Sequence, residues 1–304
     1  MTKVLPGSSR EAFNYMISHW RGLLKVSLLP LVLVAALTWL QLRGMGPMFE
    51  AYIAEYRNPT APLDSALSND LTLALPRYYV FGILILIVYA WKYVRVLQFW
   101  KRDQGKMLSL VQGEAQATMR TIFYAAGMLA LTALLYVALS TVAMLIGTVA
   151  SKGLNSNSSQ TIAAIIGLAE ILLLGVFLYR FLVGLPGVAL GERPNFFSDI
   201  WPLARDENWG LPMRQLFWFV IGIVPILIVS AVFYVPLLQD VVAQVENAGN
   251  ARLSPELMAR VVSSMGTMQF INLILQIPVM WFGIILSGVA HFRFRVKLAQ
   301  SLAK

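Results

Sequence analysis

The stretch IFYAAGMLALTALLYVALSTVAMLIGTVA, residues 122–150, decides the fold. It holds no Asp, Glu, Lys, Arg, His or Pro. A helix in water must turn a polar face outward, and no helical register gives this segment one. At 1.5 Å per residue its length exceeds the roughly 30 Å hydrocarbon core of a bilayer. Working outward, five further apolar blocks carry little charge: Leu23–Leu40, Tyr79–Val94, Ile162–Leu190, Leu216–Leu238 and Phe270–His291. The pattern predicts an all-α polytopic membrane protein. It comprises a single integral membrane domain over residues 1–304, with six transmembrane helices near 23–42, 79–100, 121–150, 161–186, 214–238 and 270–291.

Composition agrees. Of 304 residues, 58% are hydrophobic and 13% charged, against about a quarter charged in soluble domains. Mean hydropathy is +0.68. The absence of cysteine excludes disulfides, thiolate metal sites and a cysteine nucleophile. The net charge of +9 raises nucleic acid as a partner, but the distribution of cations argues for lipid. With six spans, 18 of the 24 Lys and Arg fall on the side of the N-terminus and 6 on the other. The positive-inside rule then places both termini in the cytoplasm. The cations ring a membrane boundary, where each contributes about 1 kcal/mol toward anionic headgroups.

Ser8 and Glu11 have capping-box spacing, and Ala12, Phe13, Met16, Ile17 and Trp20 share a helical face. This predicts an interfacial helix leading into the first span. In the outer loops, Pro59, Pro62 and Pro76 are expected to break the chain, and Ser254-Pro255-Glu256 to start a short helix. Each pair of spans runs from a cytoplasmic cation (Lys25, Arg120, Arg214), out and back, to an aromatic–Arg end, which suggests three helical hairpins on one plan.

From Arg180 the chain continues through Leu185-Pro186-Gly187-Val188-Ala189-Leu190 and Phe197-Ser198-Asp199-Ile200-Trp201-Pro202 to Trp209-Gly210 and the next span, ending near Pro225. This stretch, residues 180–225, resembles uncharacterised six-span bacterial inner-membrane proteins related to the membrane domain of glycerophosphoryl diester phosphodiesterase. The resemblance implies a multi-pass inner-membrane module. The phosphodiesterase barrel has no counterpart here, so its catalytic activity does not carry over.

Few residues suggest chemistry. Glu170 lies about 14 Å into the fourth span by helical rise, where a charge costs roughly 3 kcal/mol. It reads as a proton or cation site, or as a structural hydrogen-bond partner of Gln276, Asn272, Thr132 or Ser140. Lys101, Arg102, Lys106, Arg205 and Arg214 are candidate headgroup contacts. His19 and His291, at span boundaries beside Trp20 and Phe292, read as interfacial anchors. Gly184-Leu185-Pro186-Gly187 reads as a helix end, and the Gly187/Gly191 pair as a close-packing motif. Asp199, Arg205, Asp206 and Glu207 are the weakest candidates, a lipid-modifying site or a solvated loop. No nucleotide, protease or hydrolase motif occurs, and no metal or cofactor is expected. The expected partners are membrane lipids and another membrane protein. The function read from these residues is a non-catalytic inner-membrane module that organises lipids or partners. The alternative is a transporter or permease subunit with a midplane carboxyl group.

Overall fold

The computed structural model describes residues 8–45, 65–103, 113–151, 183–192, 210–248 and 255–302, with scattered positions between them. Among these residues every regular element is helical: α1 (Ser8–Ser18), α2 (Trp20–Arg43), α3 (Ser65–Asp103), α4 (Glu114–Ser151), α5 (Gly210–Ala248) and α6 (Pro255–Leu302). Residues 183–189 add a short helix. Five helices are long and apolar enough to cross a membrane, within Trp20–Arg43, Ser68–Asp103, Glu114–Val142, Val224–Ala243 and Ser263–Val296. Most of the expected fourth span lies outside the described residues.

The helices outrun the spans. α3 has 39 residues and α6 has 48, against about 20 needed to cross the hydrocarbon. Pro76, expected as a breaker, sits inside α3. The helix starting at Pro255 flows without interruption into the last span. The run Val241, Val242 and Val245 likewise belongs to the end of α5. In an apolar medium an unpaired peptide group is so costly that a helix runs on through a proline that would end it in water. Pro30, Pro225 and Pro278 also lie within helices.

The long helices leave many large apolar side chains exposed. In α4, Phe123, Leu129, Leu134 and Met144 are between 63 and 74% exposed. Such a density of large exposed side chains is incompatible with water.

The chain forms two compact units. One comprises Met1–Ser18, Val96–Leu216 and Gly283–Lys304; the other comprises His19–Arg95 and Phe217–Phe282. In the first unit Leu97, Trp100, Ile285, Leu286, Val289 and Phe294 are buried. Gly288 permits this packing: a Cβ there would lie 2.7 Å from Leu97 Cδ1 and 3.0 Å from Trp100 Cζ3. Gly288→Ala is therefore expected to destabilise by about 1–2 kcal/mol, read as a lower Tm in detergent. In α1, Ala12 and Tyr15 face the unit's interior, while Phe13 and Ile17 remain exposed. Glu11 pairs with Arg293 at 2.7 Å.

In the second unit Leu31, Val34 and Leu273 form a core with Ile85, Val88, Tyr89 and Ile277 packed against it. Inside a membrane, hydrogen bonds between helices add register. Trp281 Nε1 donates to Ser27 Oγ at 2.9 Å, and Gln41 Nε2 donates to the Tyr78 carbonyl at 3.2 Å.

Candidate functional site

In the first unit, Gly288, His291 and Arg295 follow one another at i+3 and i+4 and so share one face of α6. Opposite them is the end of the 183–189 helix. Gly191 adopts φ 91°, the left-handed region that favours glycine. Its N–H donates to the Val188 carbonyl at 3.0 Å, and the Glu192 N–H donates to the Gly187 carbonyl at 2.9 Å. This is a Schellman termination. The helix thus ends at Gly191 and runs through the Gly184–Gly187 stretch that was expected to end it.

That turn aims Glu192 at α6. His291 Nδ1 lies 2.9 Å from the Val183 carbonyl, and Nε2 lies 3.2 Å from Glu192 Oε2. A carbonyl and a carboxylate both accept. The geometry is satisfied when both ring nitrogens carry protons, giving an imidazolium paired with the carboxylate. Arg295 Nη1 meets the same Glu192 oxygen at 2.5 Å. Burial would raise the Glu192 carboxyl. The His291 hydrogen bond and charge, together with Arg295, outweigh it and hold the group at about 2. Gly187 fits under the pair: a Cβ there would lie 2.8 Å from Glu192 Oε2 and 2.9 Å from His291 Cε1. His291 is 1% exposed, so the interfacial-anchor expectation is corrected. Glu192 was not anticipated at all; the Gly191-Glu192 pair closing an apolar run was the available signal.

Lys101 is buried, with its ammonium 5.1 Å from the centroid of the Phe292 ring. Phe292 also packs on Trp100 at 5.6 Å. Lys101 thus has a partner inside the protein, while Arg102 beside it is exposed. Arg214 lies in α5, with its side chain outside the described set; Lys106 and Arg205 lie wholly outside it, as do Glu170 and the Asp199–Glu207 loop.

The second unit holds the other polar groups. Gln276 lines an open cavity of about 60 Å³ with Thr38, Trp39, Tyr89, Gln269 and Phe270. Asn272 Nδ2 donates to Ser230 Oγ at 3.4 Å. Lys92 is fully buried and donates to Met280 Sδ at 3.6 Å. Among the described residues no group of His, Asp and Glu has the makings of a metal site.

Comparison with protein-family models, with characterised proteins and with solved structures finds no match to this chain.

Proposed function

We propose that the chain is a non-catalytic, multi-pass module of the bacterial inner membrane, with both termini cytoplasmic, which organises anionic lipids or a partner membrane protein. The observation that carries this reading is the closed state of the His291–Glu192–Arg295 group. Both imidazole nitrogens are taken, one carboxylate oxygen serves two cations, and Gly187 packs too tightly to admit even a methyl group. A histidine beside a carboxylate is a common catalytic pairing. Here one carboxylate oxygen is shared by His291 and Arg295, and the group fastens α6 to the turn at Gly191. The cation asymmetry of the sequence and the exposed apolar helix faces support a lipid-contacting role. A six-span arrangement of three hairpins, with the fourth span over 161–186, belongs to the same proposal, as does kinship with the six-span proteins related to the phosphodiesterase membrane domain.

Lipid retention tests it. The protein is taken up in nanodiscs of mixed zwitterionic and anionic phospholipid, and its tightly held lipids are quantified. Anionic lipid is expected to be enriched, with the enrichment falling in the combined variant Arg102→Gln, Lys106→Gln, Arg205→Gln, Arg214→Gln. At about 1 kcal/mol per cation the loss is at least tenfold in relative affinity. Equal retention by both proteins contradicts the lipid reading.

The transporter is the second reading, favoured by the polar-lined cavity at Gln276. Solute or ion flux in liposomes that Glu170→Gln abolishes would establish it.

A further inference from the structure

The cavity in the second unit is lined by hydrogen-bonding side chains that carry no charge: Thr38 on α2, Tyr89 on α3, and Gln269 and Gln276 on α6. None of the four has a hydrogen-bond partner among the described residues. For Thr38 this breaks the pattern of the chain. Thr72, Thr118, Thr121, Thr132, Thr141 and Thr267 each donate to the carbonyl four residues back in their own helix, the common resort of a helical threonine. All four positions lie within helices long and apolar enough to cross a membrane. An amide or hydroxyl left without a partner is costly in hydrocarbon. Valine and leucine would fill nearly the same volume without that cost.

The lining also selects its occupant by kind. An amide and a hydroxyl each donate and accept, and so does a hydroxyl head that meets them. A carboxylate only accepts and an ammonium only donates, and no lining group would neutralise either. Asn272 lies between Gln269 and Gln276 on the same face of α6. Its Nδ2 donates to Ser230, while its Oδ1 is buried without a partner. Trp39 and Phe270 also line the cavity, and at 45 and 57% exposed they carry it out to the surface. A Cβ at Gly266 would lie 3.2 Å from Trp39 Cζ3, so that ring is seated against α6. Their neighbours Leu40 and Ile274 are exposed as well. What approaches this surface comes from the bilayer, and it needs an apolar chain behind a polar head.

We infer that this cavity binds an uncharged amphiphile with a hydroxyl head. The hydroxyl exchanges hydrogen bonds with Thr38 and the glutamine amides, and the alkyl chain leaves over Trp39 and Phe270. The cavity volume is about 60 Å³. One water needs roughly 10–15 Å³ by the same measure, so a hydroxyl and its first methylenes have room. The site is separate from the cation ring that the lipid-organising proposal invokes, and it stands or falls alone.

The test uses the full chain in nanodiscs of zwitterionic phospholipid. Decanol is the probe, decane its counterpart without a head and decyl sulfate its charged counterpart, each at the same mole fraction of the bilayer. Decanol is expected to raise the wild-type Tm by roughly 4 °C more than decane does. Decyl sulfate is expected to give no excess over decane. The combined variant Thr38→Val, Gln276→Leu removes two partners and nearly keeps the volume, and it is expected to abolish the decanol excess. Gln269→Leu, a second and milder variant, is expected to reduce it. Equal shifts with decanol and decane in the wild type, the result if water alone fills the cavity, overturn the inference. So does a decanol excess that survives undiminished in both variants. A larger excess with decyl sulfate than with decanol overturns the assignment of an uncharged head.

Discussion

Replacing Glu192 by alanine is expected to destabilise the protein by about 3 kcal/mol, because it strips the counter-charge from a histidine with 1% of its surface exposed. The cost comes less from losing an attraction than from what is left behind. His291 Nε2 would lose its carboxylate partner, and so would Arg295. Glu192→Gln is milder, since an amide oxygen can still accept one of the two bonds. The same carboxylate sets an acid limit. Its folded-state value of about 2 lies below the ordinary 4.5. The stabilisation is therefore complete above about pH 4.5 and is lost as the pH falls from there toward 2. Thermal unfolding in detergent at a series of pH values checks both points. The difference in Tm between wild type and Glu192→Gln should be full at about pH 5 and shrink toward pH 2. A difference that grows on acidification would show that the carboxylate is not held low by its two cations.

Gly187→Ala is expected to cost about 3 kcal/mol, an unusual penalty for one methyl group. The added carbon would lie within 3 Å of two side chains that are themselves locked together. A flexible exposed chain could swing aside; the His291 ring is enclosed and cannot do so without giving up the Val183 carbonyl. A double-mutant cycle isolates this cause. Removing the ring in His291→Ala opens the space the methyl needs, so Gly187→Ala should cost less than 1 kcal/mol in that background. Equal cost in both backgrounds would place the strain elsewhere in the turn.

The membrane-spanning class was legible from residues 122–150 alone, because lipid demands a helix without a polar face and the sequence shows it. Helix ends were far less legible. Pro76 marks a boundary in water, yet α3 runs across it; the Ser254–Glu256 signal does start α6 at Pro255, but the helix runs on into the last span instead of stopping short. The rules for ending a helix assume that water will take up freed peptide groups, and the bilayer offers none. The site followed the same division. Gln276, expected as a hydrogen-bond partner of Glu170, lines a cavity, while Glu170 lies outside the described residues. His291 and Glu192 are 99 residues apart. No local pattern joins them, and each looks ordinary at a span edge. Lys92 is one of the 18 cations that the six-span topology puts on the side of the N-terminus. Only the packing of α3 against Met280 shows that it is enclosed while Arg102 is not.

The account rests on hydrocarbon surrounding the exposed apolar faces, and the cysteine-free chain permits a clean measurement. Single cysteines are placed at Leu86 and Leu134, both more exposed than buried, and at Arg102 as a solvent-side control. Intact membranes are treated with a water-soluble, membrane-impermeant maleimide from each side in turn. The account predicts that the cysteine at 102 reacts from one side, and that those at 86 and 134 react from neither until the membrane is dissolved and the protein unfolded. Rapid labelling of 86 and 134 in intact membranes would mean that water bathes these faces, and the membrane-spanning fold would be wrong.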